Sequence, residues 1–122
     1  MEYANQNGES PRDLDAEKSV VGSNFLNADV LETVRGKIGA SDFYDATNGA
    51  VFQATLDCWE VGDPVDAVTV PERLQANGRL ADIGGVDAII EFLDAVPHAA
   101  HADYYAHVVA DKSRRRRCSP RP

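Results

Sequence analysis

The stretch ATNGAVFQATLDCWEVGDP, residues 46–64, decides the fold. Its apolar residues recur at intervals of three and four, the spacing that places side chains on one face of an α-helix. Gly-Asp-Pro ends the pattern, because glycine favours the left-handed backbone conformation after a helix and proline cannot continue the helix. The stretch predicts a helix over residues 46–61 with an inward face formed by Val51, Phe52, Thr55, Leu56 and Trp59.

Downstream lies an extended segment, residues 64–69, which has no partner strand in the pattern and is interpreted as a connector. The sequence from Thr69 to Glu72 has the form of a capping box. In that motif the threonine side chain accepts a backbone hydrogen bond and the glutamate reaches back to the cap. Pro71 would then lie in the first turn, where its missing N–H costs nothing. The helix is predicted to end at Asn77-Gly78.

Two more helices are predicted towards the C-terminus. Gly84-Gly85 opens the first, whose apolar residues follow helical spacing as far as Pro97. The last begins near His101 or Ala102 and runs into a basic stretch, residues 112–117. The side chains expected in the core are Val86, Ile89, Ile90 and Leu93 from the first helix, and Tyr105, Val108 and Val109 from the last.

Upstream, Ser10-Pro11 marks a boundary, because the residue before a proline avoids the helical conformation. Residues 1–10 are polar and are predicted to form a disordered lead-in. Asp13 can cap a helix over residues 14–26, and a weaker helix follows over residues 29–38.

Short helices therefore account for most of the chain. Phe43 and Tyr44 lie in a turn between two of them and are expected to fill the core. With about six helices, no internal repeat and no credible sheet, the predicted fold class is all-α, a compact helical bundle. Its organisation is a lead-in over residues 1–10, a helical head over residues 11–111 and a disordered basic tail over residues 112–122.

Charge is distributed unevenly along the 122 residues. The first 111 residues hold six basic and all 20 acidic residues, a formal charge of −14, and the remaining six basic residues bring the chain to −8. An acidic body repels a phosphate backbone, so direct nucleic-acid binding by the head is not expected. The acidity is explained either by solubility or by a basic protein partner.

Cysteine usage and hydropathy indicate the cellular compartment in which the protein is expected. Cys58 and Cys118 are far apart, and the second lies in the basic tail, so a disulfide framework is not expected and a reducing cytoplasm is favoured. No apolar run approaches the roughly 20 residues needed to span a bilayer. The polar, acidic N-terminus is unlike a secretory signal.

No catalytic motif emerges from the sequence. The phosphate-binding pattern GxxxxGK[ST] is absent, and Gly84-Gly85 is interpreted as a loop before a helix. His98 and His101 have a spacing that can hold a metal, but surface histidines at a helix start explain them better. Cys58, next to a tryptophan on an apolar helix, fits a small core hydrophobe better than a nucleophile paired with His107. No catalytic, metal or cofactor site is predicted.

The one basic patch is the run Arg114, Arg115, Arg116 and Arg117. Such a run can contact nucleic acid or an acidic partner. It lacks interleaved aromatic residues and is followed by prolines, which fits a solvated tail equally well. Both interpretations stay open at this point.

Short motifs occur in a fixed order along residues 11–117. Each is weak alone, and together their order and spacing are specific. They are Pro11, Ala16-Glu17, Ser19-Val20, Gly22, Asp42-Phe43-Tyr44, Val51-Phe52, Asp66, Thr69, Leu74, Gly78, Leu80, Gly84-Gly85, Pro97, Ala99-Ala100, Tyr105-Ala106 and Val109.

This order resembles the N-terminal domain of DnaB-type replicative DNA helicases. The resemblance implies a helical head that self-associates with other helicase subunits around a hexameric ring and contacts primase or the helicase loader, with DNA only an indirect partner. It also implies that ATP and Mg belong to a separate motor domain, so that this chain by itself is not an enzyme and has no membrane role.

The chain departs from the family pattern in three places. Val21 replaces a leucine, and Asn48 stands near a position where the family often has histidine. The family also continues into a helical hairpin, a linker and the motor, where this chain carries its arginine run. Two alternatives follow from that run: a small helical DNA-binding protein that uses Arg114 to Arg117, or a non-functional remnant of a helicase gene.

Overall fold

Six α-helices make up the part of the chain that the computed structural model describes, residues 13–94 and 101–118, and these residues contain no strand. The predicted all-α bundle is confirmed. The predicted lead-in, His98 and the helix end at Pro97 lie outside the described residues. The helices are α1 (Leu14–Leu26), α2 (Val30–Val34), α3 (Ala46–Val61), α4 (Thr69–Ala76), α5 (Val86–Asp94) and α6 (Ala102–Cys118), with 3₁₀ turns at Ala40–Asp42 and Ala81–Ile83.

Helix α1 is the centre of the bundle and packs against α3, α5 and α6. Asp13 caps it as predicted, since its side chain accepts a hydrogen bond from the Ala16 backbone N–H at 3.0 Å. The helix is buried on nearly all sides, and its buried set includes polar residues such as Ser23 and Asn24. A helix enclosed in this way serves as the surface on which its neighbours assemble.

Helix α3 begins and ends at the predicted residues. The Asp45 carboxylate caps it by accepting the Thr47 backbone N–H at 2.8 Å. At the other end Gly62 adopts the left-handed conformation with φ 84°, and the Asp63 N–H donates to the Cys58 carbonyl at 2.9 Å. Side-chain and glycine caps therefore satisfy the backbone groups at both helix ends.

The inward face of α3 is rotated relative to the predicted one. Leu56 and Trp59 are half-buried and pack against the core from its edge, so the prediction that they face it is confirmed only in part. Both border the core, and Trp59 instead lies beneath the Arg35 guanidinium, whose carbon is 5.2 Å from the ring centroid. The side chains of this helix that fill the core are Ala50, Val51, Phe52, Ala54, Thr55 and Cys58.

The 3₁₀ turn Ala40–Asp42 passes directly over α3 at Gly49. A Cβ atom at that glycine would lie 2.9 Å from the Ala40 carbonyl oxygen, so only glycine permits this approach. Phe43 follows the turn and is buried against Phe52, with ring centroids 5.0 Å apart. The prediction that Phe43 fills the core is confirmed. Tyr44 is 50% exposed, so the same prediction for it is wrong.

Helix α4 is capped by a different residue from the one predicted. Thr69 is already its first helical residue, and the Asp66 carboxylate accepts the N–H groups of Val68 at 3.0 Å and Thr69 at 2.7 Å. The Thr69 backbone hydrogen bond is the main reason that the pKa of Asp66 is lowered. A carboxylate suits this place because it accepts two backbone N–H groups at the positive end of the helix.

Helices α2 and α5 also differ in detail from the predictions. Helix α2 covers only Val30–Val34 of the predicted 29–38, although hydrogen-bonded turns continue to Ile38. In α5, Ile89 is buried as predicted and Phe92 joins it. The prediction for Val86, Ile90 and Leu93 is wrong: the first two are each 48% exposed, and Leu93 is half-buried.

Among the described residues one carboxylate is buried in the core, that of Glu17 on α1, which is 1% exposed. It accepts the Tyr44 backbone N–H at 2.6 Å, the Asp45 N–H at 3.2 Å and the Asn48 side-chain amide at 3.0 Å. Three donors satisfy a charge that would otherwise be costly to bury. The carboxylate thereby joins α1 to the first turn of α3.

Replacing Glu17 by alanine removes the acceptor of three hydrogen bonds. Each unsatisfied buried donor costs about 1–3 kcal/mol, so we expect Glu17→Ala to lower the free energy of unfolding by roughly 3 kcal/mol or more, measured by urea denaturation. Glu32→Ala, at an exposed position on α2, is the control and should change it by less than about 0.5 kcal/mol. Similar small losses in both variants would contradict the role of Glu17.

The revised face of α3 is tested by two truncations in the same helix. Phe52→Ala empties a fully buried site and should cost about 3–5 kcal/mol of unfolding free energy. Leu56→Ala should cost less than about 2 kcal/mol, below the range for buried leucines, because its side chain is half-buried. Equal losses in chemical denaturation would restore the face predicted from the sequence.

Candidate protein-interaction surfaces

The four arginines of the predicted contact site lie on the last turns of α6. Where the sequence suggested a disordered tail from residue 112, the structure has helix through residue 118, and residues 119–122 lie outside the described part. Ser113 anchors this end, because it is 1% exposed. Positive side chains at the C-terminal end of a helix are also favoured by the helix dipole.

Arg114 and Arg115 share one carboxylate, that of Asp111. Arg114 bonds one of its oxygens, and the Arg115 Nε lies 3.1 Å from the other. Both arginine side chains are about 60% exposed. An exposed ion pair of this kind contributes little stability, so both guanidinium groups stay accessible to a partner.

Arg116 and Arg117 contact the segment Asp42-Phe43-Tyr44 instead. The Asp42 carboxylate lies 2.8 Å from Arg117 Nη1 and accepts the Ser113 hydroxyl at 2.7 Å. Arg116 donates to the Asp42 carbonyl, and its guanidinium carbon lies 5.5 Å from the Tyr44 ring centroid. Two of the four arginines therefore hold α6 against the head.

The pKa of Asp42 reflects these contacts. Its burial alone would raise the pKa, but hydrogen bonds from Ser113, the Gly39 backbone N–H and Arg117 outweigh burial and lower it. Asp42 is therefore a structural anion, a role that the sequence did not predict although Asp42 belongs to one of its motifs. Its partners Ser113 and Arg117 lie 71 and 75 residues away along the chain.

Helix α5 presents two parallel rows of side chains to solvent, which we call the α5 surface. An apolar row and an acidic row follow the same helical spacing of four and then three residues. The acidic residues are all exposed, and α5 itself carries no basic residue. The α5 surface comprises the apolar row Val86, Ile90 and Leu93 and the acidic row Asp87, Glu91 and Asp94.

A shallow cleft of about 300 Å³ lies beside the α5 surface, between α1, α3 and α5. Lys18, Asp45, Asp87 and Glu91 are among the residues that line it, and Lys18 pairs with Glu91 at 3.3 Å. The cleft is thus open and charged, unlike the enclosed apolar pockets that hold most cofactors.

Cys58, His101 and His107 are the side chains among the described residues that could in principle act as a nucleophile or a base. Cys58 is fully buried on α3, and burial raises the pKa of its thiol, which is the opposite of activation. His101 stands edge-on to Tyr105, with ring centroids 6.4 Å apart, and His107 is exposed. Within residues 13–94 and 101–118, no group of three or more His, Cys, Asp or Glu residues is arranged to hold a metal ion.

Taken together, the described residues define a small all-helical domain whose distinctive exposed features are an amphipathic helix and an arginine-rich helix end. No helix among them is long and apolar enough to cross a membrane. Surfaces of these two kinds are typical of domains that bind other proteins.

Comparison with known proteins identifies the family. The family model of the DnaB-like helicase N terminal domain matches residues 9–111. The N-terminal domain of DnaB helicase from Mycobacterium tuberculosis superposes with a TM-score of 0.85 at 40% identity, covering 89% of this chain and 79% of that one. The chain belongs to the DnaB-like helicase N-terminal domain family.

The full-length relatives are much longer than the region that this chain matches. The replicative DNA helicases DnaB of Mycobacterium leprae and Geobacillus stearothermophilus are each 41% identical over 107 residues, which is 88% of this chain. The match spans only 18% and 24% of those two proteins. A domain from Helicobacter pylori DnaB, whose structure was described with its interactions with primase, shares the fold at a TM-score of 0.73 and 20% identity.

The anchoring role of Asp42 predicts a pH dependence. An aspartate whose pKa is lowered by folding stabilises the fold above its unfolded value of 3.8, and that contribution disappears as the pH falls through the folded value. We expect stability measured by thermal unfolding to decline between about pH 5 and pH 2, and Asp42→Asn to flatten that decline. Asp82→Asn, at an exposed position, should leave the wild-type profile intact. A profile that Asp42→Asn does not alter would argue against this role.

Proposed function

We propose that this chain is the partner-binding head of a replicative DNA helicase and acts in DNA replication through subunit assembly and contact with primase or the helicase loader. The observation that carries the proposal is the α5 surface. Val86 and Ile90 are each about half-exposed, although both are apolar. Exposed apolar rows on small domains mark sites of protein contact. Membership of the family supports the same conclusion.

In this proposal the chain has no catalytic step of its own. ATP and Mg would be bound by the motor domain of the helicase. The matched region is the N-terminal domain, in a family whose full-length members are helicases. The cytoplasmic location expected from the sequence belongs to the same proposal, because it follows from a role in replication.

Direct DNA binding by the arginine run is the weaker alternative. Two of the four arginines are engaged within the chain, because Arg117 pairs with the Asp42 carboxylate and Arg116 donates to the Asp42 carbonyl. The head that carries them is acidic, so a phosphate backbone would meet repulsion around the patch. These contacts support an indirect relation to DNA.

The test is a pull-down of primase, loader and full-length helicase from the same source with the purified chain. Ile90→Asp places a charge in the apolar row and should reduce capture of the cognate partner about tenfold or more. The control is Val68→Asp, which changes an equally apolar and 67% exposed residue away from the α5 surface. Capture of none of the three proteins would favour the gene-remnant interpretation, and equal capture by both variants would remove the α5 surface from the proposal.

A further inference from the structure

The basic end of α6 is a feature that the proposed function leaves unused. Residues 111–117 hold five basic residues and one acidic residue, and the Asp42 carboxylate beside them adds a second negative charge, so this helix end has a formal charge of +3. It lies on a head whose first 111 residues have a formal charge of −14. Positive charge concentrated at one place on an acidic domain is complementary to a negatively charged ligand.

The four arginines of this helix end divide into two pairs with different surroundings. Arg116 and Arg117 are directed at Asp42, through its carbonyl and its carboxylate respectively. The side chains of Arg114 and Arg115 are instead 60% and 59% exposed. The first pair therefore fixes the position of the helix end, and the second pair is presented at the surface.

The contact of the exposed pair with Asp111 indicates which ligand chemistry it suits. One carboxylate bridges the two arginines, because its Oδ1 accepts from Arg114 Nη2 and its Oδ2 lies 3.1 Å from Arg115 Nε. Each contact uses one nitrogen of a guanidinium group, and a guanidinium group has five N–H donors. Arginine binds carboxylates strongly through two parallel hydrogen bonds. The exposed pair thus has the donors to bind a further carboxylate.

A short acidic polypeptide fits this helix end better than a nucleic acid does. Arg114 to Arg117 span only about 5 Å along the helix axis. A DNA duplex carries one charge about every 1.7 Å and would continue from this short patch over the acidic head, which repels phosphates. An acidic polypeptide segment can place two or three carboxylates on the patch and then turn away from the head.

We propose that the end of α6 binds an acidic segment of a partner protein, with Arg114 and Arg115 contacting its carboxylates. Arg116 and Arg117 orient this site through their contacts with Asp42. The site contains no residue of the α5 surface. The inference therefore adds a second partner contact to the proposed function and does not depend on the first.

Binding is measured by fluorescence anisotropy with a labelled peptide in which Glu and Ala alternate. We expect the 122-residue chain to bind this peptide at about 50 mM salt and about tenfold more weakly at about 300 mM, because salt screens exposed charges. R114E/R115E should weaken binding about tenfold or more, because it replaces two attractive charges by repulsive ones. The same peptide with Gln in place of Glu should not bind.

Asp111→Asn tests the site without altering any arginine. The Asp111 carboxylate competes with the peptide for both exposed guanidinium groups, so its removal should strengthen binding about two- to fivefold, the size of effect expected for an exposed ion pair. Asp103→Asn is the matched control. It removes the same charge at the other end of α6, where Asp103 pairs with Lys37 at 3.3 Å, and should leave binding at the wild-type level.

Further controls separate this inference from misfolding and from the proposed function. Circular dichroism checks that α6 persists in R114E/R115E, and Arg79→Glu, at an exposed arginine outside the site, should bind like the wild type. Ile90→Asp, which tests the α5 surface, should leave peptide binding unchanged. A chain that does not bind the peptide at low salt, or that binds a DNA duplex through Arg114 and Arg115 in its place, would overturn the inference. Capture of primase or helicase through the α5 surface would then still support the proposed function.

Discussion

The carboxylate of Glu17 is the interaction on which the rest of the structure depends. It is a charge buried in the middle of α1, and burying a charge is tolerable only when donors surround it. Two of those donors are backbone N–H groups at the start of α3, so the carboxylate fixes where that helix begins relative to α1. The third is the side-chain amide of Asn48, which donates from the first turn of α3.

The segment Asp42-Phe43-Tyr44 carries this constraint outward to the arginines. Phe43 seals the core against Phe52, while the neighbouring Tyr44 N–H is held by Glu17. Asp42, at the outer end of the segment, then binds the Ser113 hydroxyl and Arg117 on α6. One short segment thus couples the buried charge to the orientation of the basic helix end. The Asp42-Phe43-Tyr44 segment therefore makes structural contacts on both of its sides.

Local chemistry explains what could be predicted from the sequence. The limits of α1 and α3 depend on residues adjacent to them, an aspartate cap before each helix and a left-handed glycine after α3, so the pattern alone locates them. Which face of a helix is buried depends on where its neighbours lie. Helix α5 is apolar around much of its circumference, and its spacing fits an inward face on Ile90 as well as one on Ile89. Only packing against α1 decides that Ile89 and Phe92 are the buried pair.

The difference between local signals and packing also explains why the sequence does not predict the two candidate surfaces correctly. The basic stretch after residue 111 has the composition of a solvated tail, and the carboxylate that holds it against the head is that of Asp42, 71 residues before Ser113. The sequence pattern places the apolar row of α5 in the core, because it records apolar spacing without recording what covers it. Such a row has the spacing of a core face, but no other helix in the described part of the chain covers it. An uncovered apolar row of this kind is typical of a docking surface. The error in the predicted core of α5 and the location of the proposed partner site therefore have one physical cause.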